Sequence, residues 1–177
     1  MKNMKIASYN INGIKARLFL LREWLEKEKP DVVGIQELKS DNINLDKEMF
    51  SDLGYFFIYN GQKAYNGCAL LSKFKITNTS FFFPGNENDK QSRWLSAEIS
   101  GIFFCNLYLP NGNPVGTEKF EYKINWMSLL YEYSKKLISL GMPVILLGDF
   151  NVIPQEIDCS SPKKWKNDAL FKEEVRS

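Results

Sequence analysis

The 177-residue chain contains no histidine. Any mechanism that rests on an imidazole base, acid or metal ligand within these residues is therefore excluded. Cysteine is scarce, and Cys68, Cys105 and Cys159 lack the spacing of a metal site. Scattered thiols of this kind point to a reducing, cytoplasmic location. No apolar run approaches the roughly 20 residues that cross a bilayer, so no membrane association is expected. Met1 to Asn10 passes almost directly into a strand-like pattern, with no signal-peptide core. The net charge of +2 is too small to argue by itself for a nucleic-acid partner. No internal repeat, low-complexity segment or interdomain linker is present. What remains is ordinary globular material, 44% hydrophobic and 25% charged, long enough for one domain with a sizeable core.

The periodicities predict an α/β chain with a mixed β-sheet flanked by helices. Met4 to Tyr9 alternates as a strand. Leu18, Leu21, Trp24 and Leu25 then recur at helical spacing until Pro30 stops the helix. Asp31 to Glu37 is a second, continuously apolar strand, which makes a βαβ-like unit with the first. Leu45, Met49 and Leu53 suggest a short helix closed by Gly54. Strand-like pieces follow at 55–59, 68–72, 76–83, 94–99 and 103–109, separated by turn signals such as Asn60-Gly61 and Asn66-Gly67, and read as an antiparallel meander. Phe81, Phe82 and Phe83 are expected in a buried strand. Thr117 caps a long helix whose apolar line is Phe120, Ile124, Met127, Tyr131, Ser134 and Ile138, ended by Gly141 and Pro143.

The stretch that organises the chain is Leu146-Leu147-Gly148-Asp149-Phe150-Asn151, the end of the apolar run from Val144. If the backbone stays extended, Asp149 and Asn151 point to the same side. They would face the region beyond the carboxyl end of the strand, where open α/β sheets bind ligands. Glycine, aspartate and asparagine also suit a plain strand-to-loop turn, so the motif alone leaves both readings open. Other strand ends carry polar groups too: Asn10 and Asn12, Glu37, and Tyr108 with Asn111. Carboxylate and amide oxygens without histidine or cysteine suit Mg²⁺ or Mn²⁺ rather than Zn²⁺. A hard divalent ion beside an acid that can orient water is apparatus for phosphodiester hydrolysis.

In this order and context, these motifs resemble those of the exonuclease III and apurinic/apyrimidinic endonuclease family, within the endonuclease/exonuclease/phosphatase superfamily. The matching stretches are Ser8 to Gly13, Pro30 to Glu37, Gly61 to Lys63, Gly67 to Leu71, Tyr108 to Gly112 and Gly148 to Asn151. The resemblance implies the N-terminal portion of a four-layer, DNase I-like α/β sandwich. It implies Glu37 as the principal metal ligand, with Asn10 near the metal, Tyr108 touching the scissile phosphate and Asp149 orienting or deprotonating the attacking water. Asn151 would bind phosphate and hold the catalytic groups in register, and Asp149 and Asn151 would join Glu37 and Asn10 at the metal. Asn12 and Asn111 would contact phosphate, and Lys63, Arg93 and Lys123 would contact DNA phosphates. Lys163, Lys164 and Lys166 are read as a solvated loop.

The implied function is a metal-dependent DNA-repair nuclease acting 3′→5′ and at abasic sites, with double-stranded DNA bearing abasic sites or 3′ ends as partner. The family also has a later half with an Arg-Ile-Asp and a Ser-Asp-His motif, and neither occurs here. The expectation is thus that residues 1–177 form an incomplete domain with very low or no activity by itself, either a truncated gene product or one half of a split enzyme completed by a second polypeptide. Two other readings stay open: a catalytically inactive nucleic-acid-binding remnant, and a superfamily phosphodiesterase acting on a non-nucleic substrate.

Overall fold

A computed structural model describes residues 3–41 and 45–177. Of the expected strand-like N-terminus, Met1 and Lys2 lie outside the described residues. The elements in chain order are β1 (Ile6–Asn10), α1 (Ile14–Glu28), β2 (Val32–Gln36), β3 (Phe56–Asn60), β4 (Cys68–Ser72), β5 (Ile76–Ser80), β6 (Trp94–Ile99), β7 (Ile102–Tyr108), α2 (Glu118–Ser139), β8 (Val144–Asp149), and the short helices α3 (Pro162–Trp165) and α4 (Glu173–Arg176). The chain divides into two compact units. One comprises Met1–Tyr108 with Leu137–Asp149, the other Leu109–Lys136 with Phe150–Ser177.

The first unit holds two four-stranded mixed sheets, in the orders β1-β2-β4-β3 and β5-β6-β7-β8. The expected mixed α/β architecture is present, with its strands divided between two sheets. The antiparallel meander is real but divided: β3 and β4 pair in the first sheet, and β5, β6 and β7 in the second. Each sheet also carries one parallel pair, β1 with β2 and β7 with β8. Parallel neighbours need a crossover, and α1 and α2 supply them.

Side-chain alternation explains the layering. Val33 and Ile35 of β2, and Ala69 and Leu71 of β4, face Ile14, Leu21 and Leu25 of α1. The alternate residues Val32, Cys68 and Leu70 face Leu95, Ala97, Phe104 and Leu147 of the second sheet. Both strands are buried throughout, so they read as continuous apolar runs. Helix α1 ends as Pro30 requires: Lys29, the residue before the proline, leaves the helical region for φ 49°.

Three local expectations need correction. The segment after Leu45 closes as a single 3-10 turn over Ser51–Leu53, with Gly54 in left-handed backbone as expected. Strand β5 stops at Ser80, and of the three phenylalanines only Phe83 is buried, stacked on Trp94 at 4.7 Å. In α2, Phe120, Ile124 and Met127 join a cluster with Ala169 and Val175 of the second unit, but Tyr131 and Ile138 are exposed. The buried positions are Phe120, as expected, together with Lys123, Trp126, Leu130 and Leu137. A lysine in the buried line is what displaced the apolar pattern.

Gly148 of β8 pairs directly with Leu107 of β7. Its φ is 147°, and a Cβ there would stand 2.0 Å from the carbonyl oxygen of Leu107 in β7. Backbone cannot retreat as a flexible side chain does, so Gly148→Ala should destabilise by about 3 kcal/mol or more. Chemical denaturation checks this. A loss below about 1 kcal/mol would mean that β7 and β8 separate more readily than their ladder indicates.

Candidate active site

Strand ends in the first unit bring four of the expected residues together. Asn10 is the last residue of β1, Tyr108 of β7 and Asp149 of β8, and Glu37 follows β2 directly. One amide joins the two acids: Asn10 Nδ2 donates to Glu37 Oε1 at 2.8 Å and to Asp149 Oδ2 at 2.7 Å. Tyr108 Oη donates to the same Glu37 oxygen at 2.8 Å. Lys39 Nζ pairs with the other oxygen, Oε2, also at 2.8 Å. Asn12 joins through its backbone N–H, which donates to Asn10 Oδ1 at 3.1 Å, and through its Oδ1, which accepts from Lys39 Nζ at 2.5 Å.

Burial pushes the Glu37 carboxyl up, but hydrogen bonds from Asn10, Lys39 and Tyr108 outweigh it and hold the group below the usual carboxylate range. Burial, and then the hydrogen bond to Glu37, raise the Tyr108 phenol well above its ordinary value. Tyr108 thus stays protonated and remains a donor at neutral pH.

The pairing is set from beneath by residues that sequence reasoning missed. Asn106 of β7 is fully buried and crosses between the sheets. Its Nδ2 donates to the carbonyls of Ile35 at 2.9 Å and Ala69 at 2.7 Å, and its Oδ1 accepts from Gln36 Nε2 at 2.7 Å. Gly34 leaves the room, since a Cβ there would come within 2.9 Å of that Oδ1. Two residues further along each strand, the same sheet-to-sheet step joins Tyr108 to Glu37. A polar residue inside Phe103-Phe104-Cys105-Asn106-Leu107, two places before Tyr108, was the available signal. Lys39, two places after Glu37, was the other.

The donor set fits a hard divalent ion. A carboxylate offers about four lone-pair sites, and Glu37 uses three, on Asn10, Tyr108 and Lys39. Two acids with oxygen-bearing neighbours suit an ion that keeps several of its waters. Among the described residues no group of three histidine, cysteine, aspartate or glutamate side chains is placed to hold a metal. Glu37 and Asp149 are accordingly the charged ligands on offer.

The remaining expected residues lie elsewhere. Arg93 is bound to the protein, its guanidinium 4.9 Å from the Tyr108 ring and donating to the Tyr108 carbonyl at 3.2 Å. Lys63 is exposed and makes no hydrogen bond or ion pair among the described residues. In the second unit, Asn111 Nδ2 approaches Asn151 Oδ1 at 3.5 Å, and Asn151 Nδ2 donates to the Leu109 carbonyl at 2.8 Å. Asn151 has φ 47°, so the extended backbone assumed from Asp149 to Asn151 does not hold.

Lys123, expected on DNA phosphates, is instead fully buried. Its Nζ donates to the carbonyls of Asn111 at 3.1 Å and Asn151 at 2.6 Å, which ties those two loops together. Gly112 accommodates its stem, because a Cβ would meet Lys123 Cδ at 2.6 Å. Lys123 is therefore unavailable to a phosphate.

Two outcomes follow. Lys123→Met leaves two carbonyls without their donor and should cost roughly 2–4 kcal/mol, seen as a lower urea midpoint. A DNA-contact role would instead leave the midpoint unchanged. Glu37 titrates lower when folded than when unfolded, so its contribution is complete above the ordinary carboxylate range. That contribution disappears as pH falls through the lower folded value. Between about pH 6 and pH 3, the wild type should therefore lose more stability than Glu37→Gln in denaturation curves. Equal losses would contradict the pairing.

The profile described as "Endonuclease/Exonuclease/phosphatase family" matches residues 7–175. An exodeoxyribonuclease of Bacillus subtilis is 32% identical over 98% of this chain and 68% of its own length. Exodeoxyribonuclease III of Haemophilus influenzae is 33% identical over 92% of this chain and 64% of its own length. The structure of an AP endonuclease from Archaeoglobus fulgidus aligns with a TM-score of 0.92 and 35% identity, covering 98% of this chain and 67% of that one. That of the 3′ phosphatase NExo from Neisseria, bound to product DNA hairpin, gives 0.93 and 31%, with 98% and 68% covered. The chain spans from about half to about two thirds of the length of the curated relatives it matches.

Proposed function

We propose, since this chain belongs to the endonuclease/exonuclease/phosphatase family, that it is a DNA-repair nuclease of the exodeoxyribonuclease III kind, hydrolysing phosphodiesters at abasic sites and 3′ ends. The observation that carries this reading is the pair of carboxylates, Glu37 and Asp149, held on one amide with the Tyr108 hydroxyl beside them. Relatives named as exodeoxyribonucleases and AP endonucleases support it.

In this reading Glu37 and Asp149 would hold Mg²⁺ or Mn²⁺, with Asn10 fixing their separation. Such an ion would supply positive charge to offset that of the phosphate. Asp149 orients the attacking water and takes its proton. Tyr108, kept protonated, turns its hydroxyl from Glu37 to a phosphate oxygen. The water oxygen bonds to phosphorus as the bond from phosphorus to the 3′ oxygen breaks, and that oxygen takes a proton from solvent to leave a 3′-hydroxyl. Asn12 contacts phosphate. In the second unit, Asn111 and Asn151 are phosphate-binding residues. Arg93 acts through Tyr108, and Lys63 is the cation still available to DNA. Buried unpaired thiols at Cys68 and Cys105 suit a reducing, cytoplasmic location, and among the described residues no helix is long and apolar enough to cross a membrane.

The sheet edges leave room for the second polypeptide expected as a partner. β1 and β8 each end a sheet order, so among the described residues each has one edge without a strand partner. Ile6 and Tyr9 of β1 are exposed. Such edges accept further strands, from a second polypeptide or another segment.

The test is nicking of a duplex with a single abasic site in Mg²⁺. Weak cleavage is expected from the 177 residues alone, abolished by chelation and by Asp149→Asn. Loss of a positioned group at such a site typically costs about 10²–10³ in rate. Cleavage that survives both chelation and Asp149→Asn would overturn the reading.

A further inference from the structure

The segment that carries Glu37 is clamped on both sides. Glu37 and Lys39 both take left-handed backbone, with φ 57° and 50°, which is uncommon for residues other than glycine. Between them Leu38 is fully buried. On one side the Glu37 and Leu38 carbonyls accept from the N–H groups of Gly13 and Ile14, at 2.7 and 3.0 Å. On the other, the Leu38 and Lys39 N–H groups donate to Gly67 and Asn66, at 3.2 and 3.0 Å. Gly67 is closed against Leu38, since a Cβ there would stand 2.8 Å from Leu38 Cβ. Lys39 therefore projects from a fixed backbone. Its ammonium meets two polar groups of the site at once: Glu37 Oε2 at 2.8 Å and Asn12 Oδ1 at 2.5 Å. Its side chain is 35% exposed and that of Glu37 17%.

An ordinary surface ion pair makes one contact and contributes little. This one is doubly bonded, and it sits on the oxygen that Asn10 and Tyr108 leave to it. We infer that Lys39 is the resident counter-cation of the acid pair, holding Glu37 in place before a divalent ion binds and weakening the grip on that ion once bound. The inference rests on the metal-binding reading above. Without Lys39 two carboxylates face a divalent ion. With it the same acids also neutralise an ammonium, and like charges a few ångströms apart repel even in a water-like dielectric.

The experiment is Mn²⁺ binding to the full 177-residue chain by calorimetry or paramagnetic resonance, for wild type, Lys39→Met and Lys39→Arg. Lys39→Met should bind Mn²⁺ about tenfold more tightly or better, and Lys39→Arg, which keeps the charge, should stay near wild type. In chelator, Lys39→Met should melt below wild type, and saturating Mn²⁺ should close or reverse the gap, because tighter binding stabilises more. If Lys39→Met does not fold, Lys39→Gln carries the same expectation. Unchanged or weaker Mn²⁺ binding in the neutral variant, or a melting deficit that Mn²⁺ leaves intact, overturns the inference. Absence of Mn²⁺ binding in wild type and neutral variant alike sinks the metal reading itself.

Discussion

Two carboxylates brought within reach of one amide nitrogen repel each other, and the first unit is arranged to make that placement hold. Asn10 supplies both N–H groups of its amide, one to Glu37 and one to Asp149. Tyr108 and Lys39 then saturate most of Glu37. These partners sit at the ends of different strands in two different sheets, so the acids stay together only while the sheets keep their register. The chemistry of the site is thus inseparable from the packing beneath it.

That packing combines apolar layering with a polar fixture. The cluster of Val32, Cys68 and Leu70 against Leu95, Ala97 and Phe104 brings the sheets face to face. Apolar contact is non-directional, however, and does not choose one sliding position over its neighbours. Asn106 does, because its amide requires the carbonyls of Ile35 and Ala69 at defined points. Left unbonded, a fully buried amide is costly. The cost of breaking this link is what sets the position of Tyr108.

Much of this was legible from sequence. The strand ends at Asn10, Glu37, Tyr108 and Asp149 could be named because apolar runs of strand length each stopped at a polar residue, and their order matched a known family. Where the chain passes from one sheet to the other was not legible. Only Lys73, Phe74 and Lys75 separate β4 from β5, and no local signal marks a change of sheet. Lys123 was misread because a charged residue on an amphipathic helix is normally solvated. Its burial depends on two carbonyls that only the folded loops bring to it. Asn151 was placed by assuming extended backbone, and its left-handed φ follows from the loop it enters. Asn106 and Lys39 escaped notice because their partners lie on other strands or in loops.

The Asn106 link also bears on how such a protein can be recombined or can diverge. Gly34, Gln36 and Asn106 form one mechanical joint written in two distant parts of the chain. A larger residue at 34 would collide with the amide. An apolar residue at 106 would leave the Gln36 amide only its longer bond to Ser8 and would remove a donor from two backbone carbonyls. The sheets are therefore not interchangeable modules, and a chimera that takes one sheet from a relative inherits half a joint. Segments exchanged between relatives would have to carry these three positions together, although about 70 residues separate the first from the last.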